Sequence, residues 1–388
     1  MAKKMLVNAR SAAAIIVQQV LVDGAYTNIA VNKFLRNNPL DDLERRLLTE
    51  LVYGTIKAVG TIDWYLQQCV TRPLDKIEKE ILSVLRISAY QLLYMDRIPD
   101  SAVCNEAVKL ARSLSNEGSA KFVNAVLRSL LRKQAAGEFK FPDAEEDDAG
   151  YLSLEYFHPR WLIKRWLGPY GREGVEKLLQ FDNTPAPVCM RTNTLTTTRQ
   201  QLLSDLEEAG AECHASKWSE DGIVCDRMPS LSSVFAKLEN AFYVQDESSM
   251  LVGSVVGAEP GMRVLDMCSA PGGKTTHVAQ LMENKGEIIA CDVHEHKLKL
   301  FPPLQLKILR NACRYVKDGG RLIYSTCTIE QAENHYLVEE FLQVKPEWQR
   351  VPFKHPLTGE LVDELQLLPQ NDGTDGFYIC VLEKRQSE

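Results

Sequence analysis

The chain has 388 residues, 45% of them hydrophobic, enough to bury two or three cores and too many for one ordinary domain. No run of 18 apolar residues occurs and the first eight residues hold no long apolar stretch, which argues against a membrane span or a secretory signal; a soluble, cytoplasmic protein is expected. The net charge of -7 disfavours a phosphate binder only until it is divided: residues 1–135 hold 19 Lys+Arg against 13 Asp+Glu, and the rest holds 26 against 39.

From Asn8 to about Lys133 the apolar residues recur at helical spacing. Ala12, Ile15, Ile16, Gln19 and Val20 begin one stripe. Leu43, Leu47, Leu48, Leu51, Val52 and Tyr53 form a second, Ile81, Leu85, Ala89, Leu92 and Leu93 a third, and Phe122, Val123, Val126, Leu127 and Leu130 a fourth. Breaks fall at Pro39–Asp41, at Arg72–Pro73, at Pro99 to Ser101 and at Ser115 to Gly118. The pattern predicts an all-helical bundle over 1–136, with Arg45, Arg46, Lys57, Lys121, Arg128, Arg132 and Lys133 as candidate phosphate contacts, each also readable as an ordinary solvated charge. The segments Asp42 to Thr55, Asn105 to Ala111 and Lys121 to Arg128 resemble the NusB-like RNA-binding domain that opens the Sun/Fmu (RsmB) family of RNA methyltransferases. That resemblance implies contact with RNA and not a reaction.

Residues 137–150 carry Glu138, Asp143, Glu145, Glu146, Asp147 and Asp148 against one Lys140, a composition expected of an exposed acidic linker. Residues 151–241 read as a small α+β domain: a helix from Pro159, a strand over Val188–Thr194 and a helix over Thr198–Ala209 ended by Gly210. His158 to Leu162 and Arg191 to Leu195 are similar to segments of the same family, which implies a part in positioning RNA. Trp161 and Trp166 could stack on bases, but five residues apart on a helix they fit core packing better.

The last domain, 242–388, opens with a helix ending near Gly257. Val264 to Leu281 then runs from an apolar strand through Pro271, Gly272 and Gly273 into an amphipathic helix. Glycines there let backbone approach a ligand, and free amides at the helix start favour polar or anionic groups. This unit implies a nucleotide-like cofactor. It is neither GxGxxG nor a Walker loop, because Met267 or Cys268 stands where the first Walker glycine is needed; with no evident magnesium acid, a P-loop phosphotransferase is disfavoured. Glu287–Asp292 reads as a second strand ending in a carboxylate that could hold ribose hydroxyls, or serve as a plain helix cap. Gly319–Thr328 reads as a further strand that ends on Thr326 and Cys327, followed by a helix over Glu330–Leu342, and Asp375–Lys384 alternates like a final strand. The ten cysteines include no CxxC pair, so neither a disulfide framework nor a metal site is expected.

Cys268, Ser269, Ala270, Pro271, Gly272, Gly273 and Lys274 resemble the cofactor loop of 5-methylcytosine RNA methyltransferases of the Sun/NOP2 type. The resemblance implies an α/β Rossmann-like domain binding S-adenosyl-L-methionine through these residues and Asp292. It implies Cys327 as the nucleophile, and 16S rRNA as the substrate of a monomeric enzyme that methylates cytosine at C5. Between Asp292 and Cys327, however, lie only 34 residues. Two further strand–helix units, each on the order of 25 to 30 residues, should fit there. His294 to Asp318 matches neither the family's third-strand acid nor its Asp-Ala-Pro-Cys-Ser loop, and Phe301 to Pro303 looks like a junction. The expectation is a sheet lacking two strands, and either a methyltransferase of weak or absent turnover or a catalytically impaired RNA-binding protein.

Overall fold

A computed structural model describes residues 8–229, 234, 236–292 and 301–385. The chain forms two compact units, Met1–Asn183 and Thr184–Glu388. The stretch His294 to Leu300 lies outside the described residues.

The first unit is helical: α1 (Ala9–Leu21), α2 (Thr27–Asn37), α3 (Asp42–Lys57), α4 (Val59–Gln67), α5 (Lys79–Tyr94), α6 (Asp100–Leu114), α7 (Glu117–Ala135), α8 (Asp148–Glu155) and α9 (Arg160–Asp182). The starts of α1, α3 and α7 are capped by Asn8, Asp41 and Asn116, each accepting from a backbone N–H in the first turn. The predicted stripes supply the core: Ile16, Leu48, Leu51, Val52, Ile81, Leu85, Val123, Leu127 and Leu130 are all but fully buried. Leu43 and Tyr53 depart from their stripe and are exposed. The acidic segment after α7 is not wholly exposed as its composition predicts. Phe139 and Phe141 pack their rings on Trp64 and Tyr65, and Asp147 caps α8. Two aromatics suffice to tie a charged segment to a bundle, because each offers a large apolar face. In α9, which kinks at Gly171 (φ 64°), Trp166 is buried as expected of a core residue, whereas Trp161 is 65% exposed.

The second unit begins with a four-stranded antiparallel sheet in the order β2-β3-β1-β4, made of β1 (Val188–Thr192), β2 (Glu212–Ala215), β3 (Gly222–Arg227) and β4 (Phe242–Val244). The helix α10 (Arg199–Glu208) packs Leu202 and Leu206 against it. Here one expectation is corrected: Cys213 and Cys225, partners across β2 and β3, form a disulfide. Adjacent antiparallel strands bring two cysteines within reach without any CxxC spacing.

Next come α11 (Glu247–Val256), β5 (Arg263–Asp266), α12 (Gly273–Leu281), β6 (Glu287–Ala290), α13 (Phe301–Ala312), β7 (Arg321–Thr326), α14 (His335–Val344), β8 (Trp348–Arg350), β9 (Phe353–Lys354), β10 (Leu361–Val362), β11 (Glu364–Leu367) and β12 (Phe377–Lys384). Phe301, read as a junction, opens α13, with Pro302 and Pro303 in the first turn, where a missing N–H costs nothing. β5 and β6 form a two-stranded parallel pair. A separate sheet runs β11-β12-β7, with β8 also on β12, all antiparallel to β12. Among the described residues no strand joins β5 to β7. No helix among them is long and apolar enough to cross a membrane.

Candidate cofactor and nucleophile site

The parallel register of β5 and β6, from Arg263 opposite Glu287 to Asp266 opposite Ala290, puts both carboxyl ends on one rim. The loop between β5 and α12 is tied to both. Cys268 N–H donates to Asp266 Oδ1 (3.2 Å), Ser269 N–H to the Cys291 carbonyl (2.9 Å) and Ala270 N–H to Asp292 Oδ2 (2.7 Å). Thr275 Oγ1 donates to the other Asp266 oxygen at 2.6 Å. Gly272 holds φ at 107°, a conformation that L side chains rarely adopt, and caps α12. Among the described residues a Cβ on Gly272 would meet nothing within 4 Å, so the constraint there is conformational. The structure thus brings Cys268 to Lys274 and Asp292 together.

Lys274 turns toward the second sheet: its Nζ lies 5.6 Å from the ring centre of Phe377, the first residue of β12. The next residue, Tyr378, pairs with Thr326 at the end of β7, and Cys327 follows, exposed and free. Burial first, then the Asp292 and Asp266 carboxylates, raise the Cys268 thiol above its ordinary value, against Lys274. The neutral thiol form of Cys268 is therefore favoured more than in an ordinary cysteine.

Sequence reasoning included Asn334 in a helix start but gave it no task. It is fully buried. Thr326 Oγ1 donates to its Oδ1, while its Nδ2 donates to the Thr328 carbonyl (2.9 Å) and to Gln366 Oε1 (2.8 Å). Gln366 in turn donates to the carbonyls of Leu367 (3.1 Å) and Phe377 (3.0 Å). Both neighbours of Cys327 are fixed by one amide while its own side chain stays in the open. An asparagine just ahead of an apolar helical run, seven residues past the cysteine, was the available signal.

The small sheet supplies the other unforeseen residues. Arg191, 3% exposed, donates through Nη1 to the Gly273 carbonyl (2.7 Å) and to Gln245 Oε1, and through Nη2 to Thr276 Oγ1 (3.0 Å). Its cross-strand partner Tyr243 donates its hydroxyl to the Pro271 carbonyl at 3.2 Å. Burial lowers the Arg191 pKa to about 10, with Asp221 opposing. On α12, burial and then the Arg191 charge push His277 down to about 4, so it is neutral near pH 7.

In the helical unit Lys121, Arg128 and Arg132 are exposed and share one face of α7 by their spacing of seven and four, whereas Arg45 and Arg46 are exposed on α3 and Lys57 at its end.

A helical bundle in one unit, and in the other a small antiparallel sheet followed by an α/β domain with a glycine-bearing loop at its strand ends, define a multidomain α/β protein of the nucleotide-binding kind. Profiles of known families match in the same order: the NusB family over residues 7–132, the Methyltr_RsmF/B-like ferredoxin-like domain over 158–231, and 16S rRNA methyltransferase RsmB/F over 255–302 and 298–383. The chain is 32% identical to the probable ribosomal RNA small subunit methyltransferase B of Bacillus subtilis, covering 93% of this chain and 95% of that protein. It is 27% identical to the protein of the same description from Synechocystis, covering 98% and 100%. The crystal structure of PH0851 superposes with a TM-score of 0.77 at 25% identity, over 98% of this chain and 100% of that one. The chain belongs to the RsmB family of ribosomal RNA small subunit methyltransferases. The alignments to the Bacillus and Synechocystis proteins are 433 and 452 residues long, longer than the 388-residue chain itself.

Proposed function

We propose that the protein is built for S-adenosyl-L-methionine-dependent methylation of a cytosine at C5 in 16S rRNA, in the cytoplasm and as a monomer. The observation that carries this reading is the loop Cys268–Lys274, tied to the strand-end carboxylates Asp266 and Asp292, with Lys274 turned toward the strand that pairs beside Cys327. The donor set suits the cofactor: carboxylates at strand ends accept hydroxyl groups, the first amides of α12 accept a polar or anionic end, and among the described residues a Cβ on Gly272 would meet nothing within 4 Å. Asp292 and residues 268–274 would hold it, and when bound it supplies the methyl group.

The chain's own part is nucleophilic. Cytosine C5 is too electron-poor to take a methyl group unaided. The Cys327 thiolate adds to C6, C5 becomes electron-rich and is methylated, and loss of the C5 proton returns the electron pair that expels the thiolate. The base must be unstacked to be reached, which gives the helical unit and the exposed Trp161 a task in gripping single-stranded RNA.

A second reading, an RNA-binding protein of impaired catalysis, is favoured by the division of the sheet between β5 and β7. In this reading a segment carried by the relatives is missing between Asp292 and Phe301. The longer alignments and the two-piece match to the methyltransferase profile support it. Turnover by this chain is then weak or absent. Trapping separates the two: 5-fluorocytosine-containing 16S rRNA fragments with the cofactor should yield a covalent adduct that disappears in Cys327→Ala if catalysis survives. Absence of an adduct with the unsubstituted chain, with RNA still bound, leaves the binding protein.

A further inference from the structure

We propose that Arg191 is a positioning residue of the cofactor loop, which makes the small four-stranded sheet a working part of the methyltransferase site. This rests on reading the loop as the cofactor site. The guanidinium sits on β1 and reaches the junction where the loop becomes α12, donating to the carbonyl of Gly273 and to the hydroxyl of Thr276. From the same sheet edge Tyr243 donates to the Pro271 carbonyl, so two of the loop's carbonyls are fixed by one pair of cross-strand neighbours. Tyr243 and Gln245 also lie in van der Waals range of where a Cβ on Gly273 would be, leaving the loop little room to shift that way. Farther along α12, Gln280 Nε2 donates to Asp221 Oδ2 at 2.8 Å, a second tie to the segment that leads into β3.

A role in packing alone does not account for this arrangement. The hydrogen-bond acceptors of Arg191 are a carbonyl, an amide oxygen and a hydroxyl, all neutral, and its Nε is buried without a partner. A buried charge in such company is costly, and an apolar side chain of similar volume would serve a core as well or better. A cation is also disfavoured at a helix start, where the helix dipole is already positive. What the charge does supply is a stiff fork holding the loop–helix junction, and positive potential beside the amides that face the ligand.

The test uses the full chain and its Arg191→Met, Arg191→Lys and Thr276→Val variants. Hydrogen exchange of amides 267–276 reads the loop directly, and calorimetric titration with S-adenosylhomocysteine reads the site without requiring turnover. Arg191→Met should speed loop exchange and weaken S-adenosylhomocysteine, each by about 10-fold or more, the loss of one to two charge-assisted hydrogen bonds. Exchange in residues 188–227 and in the helical unit should stay unchanged. Arg191→Lys, which keeps the charge and one donor, should recover part of both effects. Unchanged loop exchange in a folded Arg191→Met chain overturns the proposal, and so does a rise spread evenly over β1 to β4, the mark of a merely structural residue. If Arg191→Met does not fold, Thr276→Val decides: it removes an acceptor of Arg191 together with that hydroxyl's own bond to the Gly272 carbonyl (2.9 Å) and should raise loop exchange about 3-fold, and no change overturns the proposal. If the unsubstituted chain binds no S-adenosylhomocysteine, the cofactor reading fails while loop exchange still judges Arg191.

Discussion

The two sheets that follow α11 have similar strands in different surroundings. β12 presents six consecutive buried residues, Phe377 to Leu382. One side packs on Leu306 and Leu309 of α13 and on Leu337, Val338 and Phe341 of α14, and the other on Trp218 and on Leu251, Val252 and Val255 of α11. Among the described residues, the parallel pair β5–β6 has Val278, Leu281 and Met282 with Val256 and Ala258 beneath it, and Leu265 and Ile289 remain 38% and 47% exposed. Parallel sheets are ordinarily covered on both faces by their crossover helices. Apolar strands with one face in water show that burial is supplied by neighbouring elements and not by the strand's own composition.

The largest effect expected is from restoring neighbours. On the reading that a segment is missing between Asp292 and Phe301, inserting there the corresponding segment of a longer relative should cover β5–β6, abolish binding of an apolar dye to it, and raise methyl transfer to 16S rRNA at least ~100-fold, the scale of a completed catalytic constellation. Activity and dye binding that do not move would break the comparison. Next in size, Phe341→Ala in the covered sheet should cost about 3–5 kcal/mol in urea unfolding, since a fully buried ring leaves a cavity.

Acidification acts on α12. Unfolded His277 takes up a proton near its ordinary 6.5 and folded His277 only near 4, so stability present above pH 6.5 is lost as pH falls toward about 4. The loss is on the order of 3 kcal/mol, and the midpoint of urea unfolding followed from pH 7.5 to 4.5 should flatten in His277→Gln. Smallest of all, Leu265→Ala on the uncovered pair should change stability by less than about 1 kcal/mol. A cost like that of Phe341→Ala would mean that the face is covered after all.

The helices were legible because periodicity reports burial directly: Leu48, Leu51 and Val52 recur on the face that packs, whereas Leu43, in the first turn of α3, lies beyond the core's reach. Strands β1, β6, β7 and β12 were readable from β-branched and aromatic runs, and the loop from its glycines. What eluded the sequence depends on register and on long-range partners. Cys213 meets Cys225 only because β2 and β3 pair in one alignment. Arg191 meets Gly273 across 82 residues, and Asn334 meets Gln366 across 32. No local pattern encodes such pairings. The recognised loop residues did come together, and among the described residues β5–β6 and β7 lie in separate sheets.

The amide of Asn334 joins the residues on either side of Cys327, at the end of β7 and in the turn after it, to β11, which runs beside β12. The Cys327 thiol is thereby founded on β12. For a ribosome-made protein this sets an order of events. Cys327 emerges some fifty residues before Phe377 to Lys384, but its setting is complete only once that final strand has been released and zipped onto β7. A message truncated between Cys327 and Phe377 would yield the entire recognised loop and the cysteine itself, yet no scaffold on which to aim it.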